Sequence, residues 1–295
     1  MNYQPYSWSF LDSWTRCPLR AVRDLSLRRI PGMDSPTAQS AIHEAIARGK
    51  LDPIETAKAM DEIQATLADE PLRIFSEIRK LYKNPILPMG GEVYEQRVAV
   101  KPGWIYCDYN DPEAWIRGTI DLQRPFGGKK IREIYDWKSD RSIPPDGAPG
   151  RLRQVGLYAA LLESNLGEEG ASCYNCSLVY IRYGEKRTMT LGVRELDAAR
   201  KWAGNLIQEI EQTHSPEPKI HEYCGSCAHI HDCPAYQTHK REGTRPGIET
   251  DAQAVETANA WRAMKLWISR DEKLLKGWAK EHGGISTGNG ETLDY

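Results

Sequence analysis

Two aspartates and a lysine crowd one short stretch of strand-like sequence, "RGTIDLQRPFGGKKIREIYDWKSD", Arg117 to Asp140. Gly127 and Gly128 read as the tight turn of a β-hairpin between two runs of alternating apolar residues. With those glycines at the centre of the turn, Asp121 lies opposite Ile134 and Asp136 opposite Thr119. Side chains alternate faces with period two, so Asp121, Asp136 and Lys138 point to one side of the sheet. The aspartates become diagonal neighbours with backbones roughly 7–8 Å apart, within reach of one ion. Pro125 disturbs a regular ladder, and a longer loop would shift this register. The Asp-Trp-Lys spacing alone still keeps Asp136 and Lys138 on one face.

Carboxylates that share a face repel unless a cation joins them. Magnesium takes oxygen ligands, keeps several waters and is commonly held by one or two carboxylates plus substrate phosphates. Such an ion activates water and stabilises charge on a phosphoryl oxygen. A lysine beside it would orient the attacking water. The competing reading is an exposed hairpin with a surface Asp–Lys pair, because charged strand edges are ordinary.

A second constellation stands near residue 230, where "CGSCAHIHDC" sets Cys224, Cys227 and Cys233 in a C-x2-C-x5-C pattern. Seven cysteines in a reducing compartment point to metal or chemistry rather than disulfides. Three close thiols need a fourth ligand for a closed site. Cys17, His221, His229 and His231 are the options. Cys173 and Cys176 form a separate C-x2-C, and with Cys107 they read as free thiols.

The elements that must position these groups follow from periodicity. The first 30 residues read as a helix capped by Ser9, and Ser35-Pro36 as the start of another that carries His43 and ends at Gly49. The charged stretch from Asp52 to Lys80 predicts two helices, and "EVYEQRVAV" and "GWIYCDY" predict strands before the hairpin. Glu92 and Glu95 precede the core strands and read as exposed, with assistance to the site as the lesser option. In the helix "RLRQVGLYAALLES", Gln154 and Tyr158 are four apart and share a face. "CSLVYIRY" and "KRTMTLGV" predict a second hairpin through Gly184-Glu185, and a helix follows from Glu195 to about Gln212. After residue 240 the sequence predicts a polar linker, then a helix from about Ala254 to Lys280. Its stripe of Trp261, Met264, Ile268, Leu275 and Trp278 is expected to pack on the main domain, with a partner surface as the alternative. Gly283-Gly284 ends it, and "STGNGETLDY" reads as an Asn-Gly hairpin turn.

At 295 residues, 27% charged and 40% hydrophobic, the composition is that of an ordinary globular protein. No apolar run approaches the roughly 20 residues that span a membrane, and "MNYQPYSWSF" lacks the features of a signal peptide, so a cytoplasmic protein is expected. With a net charge of −2, a nucleic-acid partner would rest on local basic clusters. Those are Arg16, Arg20, Arg23, Arg28 and Arg29, then Lys129, Lys130 and Arg132, then Arg151 and Arg153.

The order of parts resembles the PD-(D/E)XK nuclease superfamily in its RecB-type branch. A helix histidine comes first, then the aspartate of "GTID", then "D-x-K" on the next strand, then "Q-x-x-x-Y" on a helix. Cys17 before this core and C-x2-C-x5-C after it are similar to the iron–sulfur subgroup. That subgroup includes CRISPR-associated RecB-like exonucleases, AddB-type helicase–nuclease subunits and phage relatives. The resemblance implies an α/β fold with a mixed central sheet flanked by helices, a restriction-endonuclease-like core. It implies that His43, Asp121, Asp136 and the carbonyl of Trp137 ligate Mg2+ or Mn2+, that Lys138 is catalytic, and that Gln154 and Tyr158 line the site. It also implies that Cys17, Cys224, Cys227 and Cys233 bind a 4Fe–4S cluster, with zinc the rival, joining the N- and C-terminal segments. The nuclease domain would cover residues 1–240, and 241–295 would hold the linker and helix. Two departures stand out. Gln39 occupies a place where glycine is common, and Asp136 one where glutamate is frequent.

The expected function is a metal-dependent deoxyribonuclease, a single-strand exonuclease of recombination, repair or phage DNA processing. Its partners would be DNA ends together with helicase, recombination or CRISPR-adaptation proteins, and self-association is a further option. The alternatives are a CRISPR-adaptation nuclease that trims spacer precursors and a non-catalytic DNA-end-binding scaffold with a structural metal.

Overall fold

A computed structural model describes residues 5–28, 37–67, 69–127, 130–144, 149–167, 171–221, 224, 227–241, 250–282, 285–286 and 292–293. The chain divides into two units, Met1–Asp12 with Ile30–His214, and Ser13–Arg29 with Ser215–Tyr295. The Cys17 segment groups with the chain that carries the other three clustered cysteines.

The first unit is a mixed α/β structure. Among the described residues its sheet has seven strands: β1 Tyr6–Ser7, β2 Val93–Lys101, β3 Ile105–Cys107, β4 Ile116–Phe126, β5 Ile131–Lys138, β6 Cys173–Tyr180 and β7 Glu185–Leu191. The order is β3-β2-β4-β5-β6-β7, with β1 beside β4. β5 runs parallel to β6 and β1 parallel to β4, while the other pairs are antiparallel. Helices flank both faces. On one side α3 Ala38–Gly49, α4 Pro53–Gln64 and α5 Asp69–Leu81 bury Ile42, Ile46, Phe75 and Ile78 against Leu122, Tyr135, Trp137 and Val179. On the other lies α6 Pro149–Leu166, with α7 Val193–Gln212 packed on it where Gly156 approaches Ala199.

Local chemistry sets several boundaries. The first helical run breaks into α1 Trp8–Arg16 and α2 Pro18–Arg28, because Pro18 has no amide hydrogen to continue the ladder. Ser7 caps α1, accepting from Phe10 N at 3.3 Å, two residues earlier than Ser9 would. Thr37 caps α3 through Ser40 N; the Ser35-Pro36 start lies outside the described residues. The hairpin register also differs from expectation. Phe126 pairs with Ile131 and Leu122 with Tyr135, so residues 127–130 form a four-residue connection instead of a two-residue turn. Pro125 stays in register opposite Arg132, and Gly127 takes a left-handed φ of 59°. Gly128 and Lys129 lie outside the described residues.

The second unit holds α2, a 3-10 turn at Ile230–Asp232, α8 Pro234–Arg241, α9 Asp251–His282 and a two-stranded pair of β8 Ile285–Ser286 with β9 Thr292–Leu293. Trp261, Ile268, Leu275 and Trp278 of the α9 stripe are exposed. The Met264 side chain, most of the polar linker, Gly283-Gly284 and the Asn289-Gly290 turn lie outside the described residues. Among those described, no helix is long and apolar enough to cross a membrane.

Candidate active site

The site in the first unit begins with an interruption of two strands. In β2, Tyr94 packs with the α3–α5 core, whereas Gln96, two residues on, donates to Asn165 in α6. Two residues apart in a regular strand share a face, so the alternation switches at Glu95. Its φ of 48° marks the switch, a left-handed conformation that a glutamate rarely adopts. The neighbouring β4 changes face at the same level. Gly118 lies against Leu161 and Tyr158 of α6, yet Leu122 belongs to the α3–α5 core. Asp121 lies between them, next to Leu122. The β4–β5 ladder stops at Leu122–Tyr135. Beyond it the Asp121 carboxylate, not a backbone carbonyl, accepts the Trp137 N–H at 2.7 Å.

Asp121 thus stands in the gap between two strands, nearly buried, and its other oxygen lies 3.4 Å from His43 Nδ1 on α3. Ligand atoms of His43, Glu95 and Asp121 lie within 4.8 Å of one another, a spacing at which one ion touches all three. Burial works against the charge on His43, but Asp121, then Asp136 and Glu95, hold its pKa above the usual value. Burial and the field of Asp121 push Glu95 up to about 6. Glu95 is exposed as a residue, yet its carboxylate sits among these charges. Negative charge is concentrated here, and a mixed nitrogen and carboxylate donor set suits a divalent ion such as manganese.

Asp136 and Lys138 point from β5 toward α6. Asp136 is buried, and desolvation raises its pKa against the opposing pull of Lys138. Lys138 Nζ lies 2.5 Å from Asp136 Oδ2 as an ion pair, although that oxygen makes no hydrogen bond of acceptable angle. Gln154 joins both groups: its Nε2 donates to Asp136 Oδ1 at 2.9 Å, and its Oε1 accepts from Lys138 Nζ at 2.8 Å. Tyr158 OH lies 3.4 Å from the same Nε2, and burial raises the phenol pKa, so it stays protonated. The absence of a side chain at Gly118 lets the Tyr158 ring approach β4.

The structure therefore brings His43 to Asp121, and Gln154 and Tyr158 to Asp136 and Lys138. Trp137 enters through its N–H bond to Asp121. Asp136 is held by Lys138 and Gln154, outside the tight three-ligand group, and Glu95 stands in that group instead. Sequence reasoning read Glu95 as exposed. The signal for it, a register pairing β2 with β4 around Asp121, depends on the length of an intervening loop that the sequence does not fix.

In the second unit the thiols of Cys17, Cys224, Cys227 and Cys233 share one neighbourhood. Burial raises the Cys224 thiol, and charge on Cys17, Cys227 or Cys233 would raise it further. Backbone amides point at the sulfurs: Lys219 N lies 3.4 Å from Cys17 Sγ and His221 N 3.2 Å from Cys224 Sγ. The His221 amide works against the upward shift at Cys224 without cancelling it. Of the alternative fourth ligands, His229 is paired through Nε2 with Asp24 at 2.8 Å, and the His231 side chain lies outside the described residues. Cys107 and Cys176 are buried, Cys173 is partly so, and all three are free.

No family model matches the chain, and no curated protein matches it. Among solved structures, that of SSO0001 is 16% identical with a TM-score of 0.39, over 80% of this chain and 89% of the other. A candidate exonuclease from Eubacterium rectale is 11% identical with a TM-score of 0.43, over 84% of this chain and 92% of its own. The functional reading rests on the geometry of the site itself.

Proposed function

We propose that the first unit is a metal-dependent nuclease that hydrolyses DNA phosphodiester bonds, acting on single-stranded ends as an exonuclease. One observation carries the reading. A lysine held by a buried aspartate and a glutamine stands beside a histidine–carboxylate group of metal-binding spacing. A scaffold needs no such lysine, because a buried ion pair costs desolvation that well-packed apolar residues of similar volume would avoid. His43, Glu95 and Asp121 would hold Mn2+ or Mg2+, with Asp136 at their edge. The bound ion supplies Lewis-acid stabilisation of phosphoryl charge and acidifies water. Lys138, fixed by Gln154, orients the attacking water and offers positive charge to the phosphoryl group. Tyr158, kept as a phenol, donates a hydrogen bond to a phosphate oxygen. Asp121 ties the Trp137 peptide in place, which fixes Lys138 one residue further on.

Cys17, Cys224, Cys227 and Cys233 would hold a 4Fe–4S cluster, the assignment the sequence resemblance favours, with zinc as the rival four-thiolate metal. The test of the activity is incubation of the purified protein with end-labelled single- and double-stranded DNA in Mg2+, Mn2+ or chelator. Release of short products from single-stranded ends with metal, and none with chelator, is expected. Intact DNA of both kinds in Mn2+ would overturn the proposal.

A further inference from the structure

The basic residues that stood out in the sequence are mostly engaged within the protein. Arg20 pairs with Asp24, Arg23 donates to the carbonyl of Asp232, and Arg153 lies over the Trp202 ring. Two other arginines, inconspicuous in the sequence, converge beside the metal-binding group. Arg97 is on β2, two residues from Glu95, and Arg117 is on β4, four residues from Asp121. At about 3.3 Å per residue they stand roughly 7 Å and 13 Å along their strands from those carboxylates. Register sets Arg97 opposite Thr119 and Ala99 opposite Arg117, so the arginines are diagonal neighbours on one face. Both guanidinium groups lie over Tyr109, at 5.4 Å and 5.3 Å from its ring centroid.

Neither arginine forms an ion pair among the described residues. Arg117 donates to the backbone carbonyl of Asp111 at 3.2 Å, while the Asp111 carboxylate is taken by Lys101 at 3.0 Å. Arg117 Nε is buried without a hydrogen bond. Arg97 is exposed, and its field reaches Glu95. Two like charges held together on one tyrosine, with donors unused, call for an anion. Planar guanidinium groups match phosphate oxygens in geometry as well as charge.

We propose that Arg97, Tyr109 and Arg117 form a phosphate-binding subsite that grips the backbone of the DNA strand within a few nucleotides of the scissile bond. The tyrosine ring fixes both guanidinium groups, and the contact is independent of base sequence. The subsite rests on the nuclease reading, and its test separates the two. A labelled single-stranded oligonucleotide is bound in Ca2+ over a range of salt, using wild type, Arg97→Gln, and Arg97→Gln with Arg117→Gln. Lys58→Gln, which removes a charge paired with Glu55 on α4, serves as the control.

Each phosphate contact contributes about 0.7 to the slope of log K against log salt for single strands. The double variant should lose about 1.4 of slope, the single variant about half of that, and the control none. KM for cleavage should rise at least tenfold in the double variant, while Mn2+ affinity by calorimetry stays unchanged. Arg97→Lys should recover most of the slope but not all of the affinity. Wild type that binds and cuts DNA, with an unchanged slope in both variants, overturns this subsite alone. Loss of Mn2+ affinity in Arg97→Gln with no change of slope also overturns it, by reducing Arg97 to a partner of Glu95. Wild type that neither binds nor cuts DNA overturns the subsite together with the nuclease reading.

Discussion

The amide of Gln154 joins two charges, and Gln154→Ala removes both hydrogen bonds at once. A hydrogen bond to a charged group contributes about 1.5–3 kcal/mol. Lys138 keeps its ion pair with Asp136 at 2.5 Å, so part of that stabilisation survives. The expected loss is therefore about 2–3 kcal/mol, at or just below the bottom of the range for two such bonds. For a domain of this size that is roughly 5–10 °C of Tm. The rate should fall by more than the fold does. Without Gln154 the ammonium loses the acceptor that fixes its direction and keeps the Asp136 contact alone, and a positioned proton-handling group is worth about 100- to 10,000-fold. Urea melts give the stability, and single-turnover cleavage at a temperature where the variant is fully folded gives the rate, expected about 100-fold lower. Gln154→Glu should be at least as slow, since it sets another carboxylate beside buried Asp136. A Gln154→Ala protein that loses the stability yet cuts at the wild-type rate would refute the positioning role.

Mn2+ at roughly 100 times its Kd should stabilise the wild type by about 2.7 kcal/mol. Thermal melts should show that gain abolished in Asp121→Ala and reduced in Glu95→Gln; an undiminished shift in Asp121→Ala would remove the ligand assignment. Tyr158→Ala should slow single-turnover cleavage beyond what its melting temperature explains, and a fall only in step with melting would make the residue structural. Anaerobically purified protein should be brown, with about four irons per chain. Cys17→Ala should lose that metal and Cys173→Ala should keep it, whereas stoichiometric zinc without visible absorption would replace the cluster by a zinc site.

The parts of this arrangement that depend on local period were legible in the sequence. Asp136 and Lys138 share a face because they are two apart in a strand, and Gln154 and Tyr158 because they are four apart in a helix. The meeting of those two pairs needed the β5–α6 crossover, which only the resemblance supplied. The register of β4 on β5 was not legible. It turns on whether residues 127–130 or only two of them make the connection, and two positions of slip move Asp121 from the row to the gap. Glu95 was hidden for a stronger reason. Its role depends on a left-handed backbone inside a strand, which nothing in a glutamate's chemistry announces. Arg97 and Arg117 escaped notice because they are isolated in sequence and become neighbours only through the β2–β4 pairing. The α9 stripe was legible as a period but not as a contact, since helical periodicity establishes an apolar face without establishing what covers it.

The central claim is that Lys138 acts on water beside a divalent ion. Its most direct test is single-turnover hydrolysis of end-labelled single-stranded DNA in Mn2+, wild type against Lys138→Met, with a Mn2+ thermal shift measured on both. Methionine keeps much of the side-chain bulk, but breaking a buried pair costs about 3–5 kcal/mol, so the comparison is made below the melting range of the variant. The account predicts Mn2+-dependent cleavage by wild type that chelator abolishes, a rate at least about 100-fold lower in Lys138→Met, and a thermal shift that persists. Cleavage by folded Lys138→Met at the wild-type rate, or wild-type cleavage that survives chelation, would contradict it.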